Sequence, residues 1–297
     1  MAVLEYVTKF HDRIRSLYGH ELISDELFHS NEDIQIIGAK TIKIPRLSVS
    51  GYKDHTRGGS YNAGNYSNDY EMKQLDHDRD IEFTIDPMDV DETNTVVSIG
   101  NVQARFERKQ AIPELDCYTF SKVYSEASRV GAKIKTTPIT AANVLDDFDE
   151  NCEAFENAGV PLSRCILYCT STYKKALKNA EGVQRTLEVS GGPKGIDRRI
   201  HTLDDVGKIK VVPLERFKTA YDFTEGYKAD ATGKQINYIL IDPEAQVSRV
   251  KYSYINTYTP GHDSRTADNY LYQNRRFNGT FGLDEELAQG CIINAEA

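Results

Sequence analysis

The chain has 297 residues, enough to bury a full core as one large domain or two coupled ones. Hydrophobic residues make up 39% and charged residues 27%, a globular balance that excludes wholesale disorder, and no stretch approaches the roughly 20 apolar residues of a membrane-spanning helix. A net charge of −9 removes any bulk drive toward nucleic acid, and five scattered cysteines do not make a disulfide framework.

Trp is absent, while Tyr reaches 18, many of them in polar surroundings. That suits contact surfaces between proteins, or half-buried strand tyrosines. The first residues, Met1 to Tyr6, lack a basic region followed by an apolar run, so the reading is a chain without a secretory signal, made in the cytoplasm.

In residues 1–30, Leu4, Val7, Ile14, Leu17 and Tyr18 recur at helical spacing. With little nearby to pack on, this segment reads as an arm that docks elsewhere. Residues 41–50 read as a strand in which Ile42 and Ile44 alternate, Pro45 interrupts, and Leu47 and Val49 resume in the opposite phase. A phase flip at proline predicts a bulge on an edge strand. Residues 80–86 alternate cleanly and are expected to return beside 41–50 as a long hairpin. The loop between is rich in glycine and tyrosine, an elaborate tip. An isolated ribbon is marginal in water, so it must lie on its own body or a neighbour. Tyr52, Tyr61, Tyr66 and Tyr70 at the tip, with Ile81, Phe83 and Ile85 on the return strand, are therefore the candidate subunit-interface residues.

A long helix is predicted next, with Asp89, Asp91 and Glu92 at its positive end and Val96, Val97, Ile99, Val102 and Phe106 as its buried stripe. Arg105, Arg108 and Lys109 follow, and Pro113 either kinks this helix or opens a second one. Leu115, Tyr118, Val123 and Ala127 lead to Gly131, a C-cap. From 132 to about 234 the pattern is α/β. A helix over 140–158 turns Val144, Leu145, Phe148, Cys152 and Phe155 inward, and a second helix covers 171–179. Short buried strands fall at 165–169, 210–212 and 236–241. Around the Pro260-Gly261 turn, 250–254 and 270–281 form a second long antiparallel pair.

Catalytic and metal signatures fail on their residues. Gly59 to Gly64 has phosphate-loop glycine spacing, but Asn65 and Tyr66 stand where Lys and Ser or Thr are needed, and 191–195 has its lysine out of order. Asp76, Asp78 and Asp80 imitate a calcium loop, yet Ile81 replaces its glycine and Pro87 its glutamate. Cys165 and Cys169 have no His or second Cys pair nearby and read as buried inert thiols. His11, His20 and His29 fall on opposite sides of a helix in turn. No catalytic, cofactor or metal residues are assigned, and the chain is read as a non-enzyme.

Three stretches carry a resemblance: 38–44 before the hairpin, 78–86 with 88–94 at its exit, and 108–118 in the helix. They resemble the major capsid proteins of tailed bacteriophages, whose Hong Kong 97-type capsid fold follows the same order of parts. The resemblance implies an α+β fold with an N-terminal arm (1–37), an extended β-hairpin loop (38–88) and a long spine helix with the peripheral antiparallel-sheet domain (89–135). An axial α/β domain (136–242) and return strands of the peripheral domain (243–297) complete it.

It further implies a structural virion protein, assembled in the host cytoplasm, that forms pentamers and hexamers and then an icosahedral capsid enclosing phage DNA. The implied partners are the chain itself, a separate scaffolding protein, a portal, and packaged DNA through weak non-specific contacts, with no membrane and no cofactor. Some relatives crosslink Lys to Asn; Lys53 and Lys73 lie in the hairpin, but no Asn partner or catalytic carboxylate is identified. An encapsulin-like nanocompartment shell shares the fold and stays open as an alternative, as does a small soluble α/β enzyme or ligand-binding protein.

Overall fold

The computed structural model describes residues 22–28, 41–55, 57, 59, 61–92, 98–180, 206–261 and 267–297. Most of the predicted N-terminal arm, the three early histidines His11, His20 and His29, Val96, Val97 and the loop at 191–195 lie outside the described residues.

A five-stranded mixed sheet forms the larger core. Its strands are β4 (Lys133–Lys135), β5 (Ile166–Thr170), β6 (Lys208–Val212), β9 (Ile236–Ile241) and β12 (Cys291–Ala295), in the order β4-β12-β9-β5-β6, while the short β7 (Tyr221–Asp222) and β8 (Lys228–Ala229) pair only with each other. The middle strands are covered on both faces, which is why they read as continuous apolar runs. Ile166, Tyr168, Ile239, Ile241, Cys291 and Ile293 face the long helix through Phe120, Val123 and Ala127. Leu167, Cys169, Tyr238, Leu240 and Ile292 face Val144, Phe148 and Phe155 on the acidic helix α4 (Val144–Asn157), and Tyr173 and Leu177 on α5 (Ser171–Asn179). Residues 243–297 are expected from the sequence to hold return strands of the peripheral domain, and Gln246–Tyr258 and Tyr270–Gly282 are such strands. Their last strand, β12, instead lies inside the five-stranded sheet between β4 and β9.

A three-stranded antiparallel sheet, order β10-β11-β3, forms the smaller body from β3 (His77–Ile85), β10 (Gln246–Tyr258) and β11 (Tyr270–Gly282). β10 and β11 are the predicted long pair, with a bulge between Val250 and Tyr252. β3 corrects an expectation: it pairs with β11, not with the strand at 41–49. Local alternation predicts that a strand exists, but its partner is a non-local choice.

Three helical stretches link the two sheets: α1 (Pro87–Glu92), α2 (Ile99–Phe106) and α3 (Ile112–Val130). Ser98 caps α2 by accepting from Asn101 N–H. Between α2 and α3, Glu107–Ala111 form a π turn, so helix continues from Ile99 to Val130. Pro113 therefore lies inside one continuous helix instead of opening a second one; beside it the wider turn lets Ile112 N–H reach Glu107 C=O. The helix ends at Gly131 with φ 76°, and Ala132 N–H bonds back to Ala127 C=O, as the predicted cap requires.

The face α2 buries differs from the predicted one. Val102 and Phe106 are only half-buried, while Gln103 and Glu107 are buried. The cause is the sheet beneath, whose helix-facing residues on β11 include Asn274, Arg276 and Asn278. The Glu107 carboxylate, fully buried, accepts from Asn274 Nδ2 at 2.7 Å, Arg276 Nη2 at 2.9 Å and the Tyr272 hydroxyl at 3.3 Å. Gln103 Nε2 donates to Thr257 Oγ1 at 2.7 Å. A second buried carboxylate, Asp116, accepts from the backbone and hydroxyl of Ser24 and pairs with Arg216 at 3.2 Å, which fastens residues 22–28 to the helix.

Removing one partner of a buried pair leaves the other charge uncompensated. Arg276→Met is expected to destabilise the subunit by about 3–5 kcal/mol in urea unfolding. Arg275→Met, which removes the exposed partner of Asp78 on the same strand, should leave the unfolding midpoint in place.

Candidate subunit-interface site

The strand β1 (Thr41–Val49) pairs antiparallel with β2 (Tyr66–Gln74) in a two-stranded ribbon that joins neither sheet. The register runs from Thr41↔Gln74 to Val49↔Tyr66 without a shift, so the bulge expected at Pro45 is absent. The phase flip at Pro45 has another meaning. Directly opposite residues share a face, so Ile42, Ile44, Glu71 and Lys73 lie on one side of the ribbon, and Leu47, Val49, Tyr66, Tyr70 and Met72 on the other.

The first side holds the root to the body. Ile42, Ile44 and Leu75 are buried with Val247, Phe277 and Phe281. Gly279 makes this approach possible, since a Cβ there would lie 1.8 Å from Leu75 Cδ2. Lys73 Nζ sits 2.7 Å from Glu71, 3.2 Å from Asp284 and 3.7 Å from Glu126, tying β2 to the end of α3 and the start of α6 (Asp284–Gly290). The Asp284 carboxyl is held well below the usual carboxylate range, chiefly by a hydrogen bond from Arg129.

The second side is bare. Leu47 is 66% exposed, Val49 72%, Met72 64%, Tyr66 79% and Tyr70 53%. Contiguous apolar area of this kind marks a contact surface. Beyond it, the tip carries Tyr52 and Tyr61, both fully open to solvent. The tip is closed by its own polar bonds: Ser50 N–H to Asn65 C=O, Asn65 N–H to Ser50 Oγ, and Asn62 Nδ2 to the carbonyls of Lys53 and Asp54.

Of the predicted interface residues, Tyr52, Tyr61, Tyr66 and Tyr70 therefore stand together on the ribbon. Ile81, Phe83 and Ile85 do not join them. They lie on β3 and face the long helix, with Ile85 buried and Phe83 edge-on to Phe106 at 5.5 Å. Sequence reading missed Leu47, Val49 and Met72 as part of the bare face. The phase change at Pro45 was the available signal for the first two.

Where the ribbon meets β3, two titratable groups are held out of their ordinary state. Burial would push the Asp76 carboxyl up, but hydrogen bonds from Lys122 and Tyr118 outweigh it and hold it low. His77 stacks on Tyr118 with ring centres 4.0 Å apart and touches Phe223 edge-on. Burial, helped by the positive charge of Arg79, lowers its pKa to about 4. The thiols of Cys165 and Cys169 are buried, and desolvation pushes both up to about 12, far from nucleophilic use. No cluster of His, Cys, Asp and Glu among the described residues is arranged to hold a metal ion, and no helix among them is long and apolar enough to cross a membrane.

A ribbon, a long helix, a three-stranded sheet and a five-stranded mixed sheet, with β3 ahead of the helix and β10 and β11 between β9 and β12, make an α+β fold of the tailed-phage major capsid type. Solved structures that share it include two phage capsids and a virus-like particle. The mature capsid of bacteriophage PhiM1 matches with a TM-score of 0.63 and 12% identity over 87% of this chain and 82% of that one. The capsid of cyanophage P-SCSP1u matches at 0.61 and 11%, over 91% and 86%. A virus-like particle from Pyrococcus furiosus matches at 0.53 and 11%, over 98% and 99%. No protein-family profile and no curated protein sequence matches the chain, so the likeness lies in the fold.

His77 gives a pH test of the junction. Its folded pKa is depressed from 6.5 to about 4, so the unfolded chain binds the proton first. The stability this supplies is complete above pH 6.5 and is lost as pH falls toward 4, amounting to about 3 kcal/mol. His77→Gln should flatten that part of a urea-unfolding profile. Glu114, 3.6 Å away with its carboxyl raised by burial, acts in the opposite sense and remains in both profiles.

Proposed function

We propose that this chain is the major capsid protein of a tailed phage, assembling into pentamers and hexamers that close an icosahedral shell around DNA. The observation that carries the proposal is the ribbon: its root is buried in the body, and its outer half presents five exposed apolar side chains that nothing among the described residues covers. Full burial of such a side chain contributes about 1.5–3 kcal/mol, so a neighbour that covers the row gains a strong contact. The capsid fold supports the same reading.

On this reading, residues 38–88 contain the extended loop, 89–135 the spine helix, and 136–242 the axial domain, which borrows β12 from the end of the chain. Residues 1–37 form the arm, and 243–290 complete the peripheral domain. The tyrosines at 52, 61, 66 and 70, joined by Leu47, Val49 and Met72, seat on an adjacent subunit. The acidic chain contacts packaged DNA weakly and without sequence preference, and a separate scaffolding protein and a portal complete the assembly. The protein is a virion component built in the host cytoplasm, and its role is structural rather than enzymatic.

A nanocompartment shell of the encapsulin kind is the second reading, favoured by the near-complete mutual coverage with the archaeal virus-like particle. Nucleic acid content of particles purified from producing cells separates the two.

The ribbon supplies the test of the shell itself. Replacing residues 50–65 with Asn-Gly closes the ladder directly after Val49↔Tyr66 and removes no core contact. Circular dichroism and the melting temperature should stay at wild-type values, while sedimentation shows subunits or irregular particles in place of shells. Leu47→Asp with Val49→Asp should give the same outcome without shortening the chain. Regular shells from both variants would overturn the assignment of the interface to the ribbon.

A further inference from the structure

A groove of about 620 Å³ opens between β3, the long helix and the turn at 224–226. Its floor is the helix-facing side of β11, where Arg276 and Asn278 are 8% and 3% exposed. Glu107 holds Arg276 at 2.9 Å, but among the described residues the side-chain oxygen of Asn278 has no hydrogen-bond partner. A buried acceptor without a donor is costly, so a donor is what this end of the groove lacks. His77, the register partner of Asn278, lies 3.6 Å from Glu114, which brings a carboxylate to the same end. Arg79 donates to Glu114 at 2.7 Å, yet burial outweighs that bond and raises the Glu114 carboxyl. An anion desolvated this far gains from a second cation.

The remaining walls say what kind of cation. Ile81 and Phe83 line the groove from β3, and Phe106 and Leu115 line it from the helix. Glu225 stands exposed on the turn at its rim. The charges around the groove do not cancel. Arg275 matches Asp78 on the other face of the sheet, and His77, with its pKa at about 4, is uncharged at pH 7. Asp80, Glu107, Glu114 and Glu225 are then set against Arg79 and Arg276, four carboxylates to two guanidiniums. Two positive charges are wanting, and a metal ion would answer the charge while leaving the apolar wall uncovered. From His77 to Phe83 the groove follows β3 for about 20 Å, room for an extended chain.

We propose that the groove binds an aliphatic polyamine. One ammonium donates to Asn278 and Glu114, the methylene stem lies along Phe83, Phe106 and Leu115, and a second ammonium reaches Glu225 at the rim. An ammonium has three hydrogens to donate, and a methylene stem covers apolar surface as a lysine side chain does. So held, the guest ties β3, the long helix and the 224–226 turn to one another beside the root of the ribbon.

The experiment is titration calorimetry of the full chain with spermidine at fixed ionic strength. Saturable binding of one molecule per chain is expected, with a melting temperature that climbs as spermidine is added. Butylamine and magnesium chloride, at matched ionic strength, should give neither signal. Glu225→Gln, a change at the exposed rim, should weaken spermidine binding about tenfold, the effect of losing one hydrogen bond to a charged group. Glu153→Gln removes the same charge from the acidic helix, away from the groove, and should leave binding unchanged. Absence of saturable binding overturns the proposal. Equal binding of magnesium, or equal losses in the two variants, reduces the effect to general charge screening and overturns it as well. The site belongs to the subunit, so it stands or falls apart from the shell reading.

Discussion

The long helix touches both sheets, but by different chemistry at its two ends. From Ile112 onward it buries Phe120, Val123 and Ala127 in the core of the five-stranded sheet. Ahead of that point its inward residues are Gln103 and Glu107, and the smaller sheet answers with Thr257, Asn274 and Arg276. Apolar contact tolerates sliding, whereas a buried carboxylate bonded to an amide and a guanidinium fixes register and rotation. The Glu107–Arg276 contact is thus what sets the smaller sheet, and with it the root of the ribbon, relative to the rest of the chain. The π turn that begins at Glu107 sits at this change of chemistry, where helix geometry must serve two different surfaces.

The ribbon inherits its direction from that arrangement. Ile42, Ile44 and Leu75 press on Val247, Phe277 and Phe281 of the smaller sheet, and the ion cluster around Lys73 adds a tie to the far end of the helix. Both fastenings use one side of the ribbon. The change of apolar phase at Pro45 then hands the outer half a stripe on the other side, which the described residues leave exposed.

Much of the larger core was legible because its strands and helices are short and their apolar patterns local. The helix at Ser171–Asn179 and the strand at Ile236–Ile241 lie where the pattern puts them, and Gly131 closes the long helix as its position suggests. What the pattern does not contain is partnership. β3 alternates as cleanly beside β11 as it would have beside β1, so pairing it with the nearer strand was the local reading and the wrong one. β2 went unseen because its sequence, Tyr-Ser-Asn-Asp-Tyr-Glu-Met-Lys-Gln, has polar residues on both phases and stays almost wholly exposed. The polar face of α2 was missed because a buried Glu is only affordable when a distant Arg meets it, and that Arg lies far along the chain. Of the candidate site, the tyrosines of the tip were readable as unusual, while Met72 required the fold.

A stripe that changes sides has a consequence for how copies are counted. On the proposed shell reading, with the body on one side of the ribbon and a partner copy on the other, neighbours would overlap in the manner of roof tiles, each covering the next in a single rotational sense. Such a contact is heterologous, and it saturates only when the row closes on itself. An open row always leaves one ribbon bare and one receiving surface empty, whatever its length. The last copy to join makes two contacts where every earlier one made a single contact, so closure is the step that the sequence at 41–49 most strongly favours.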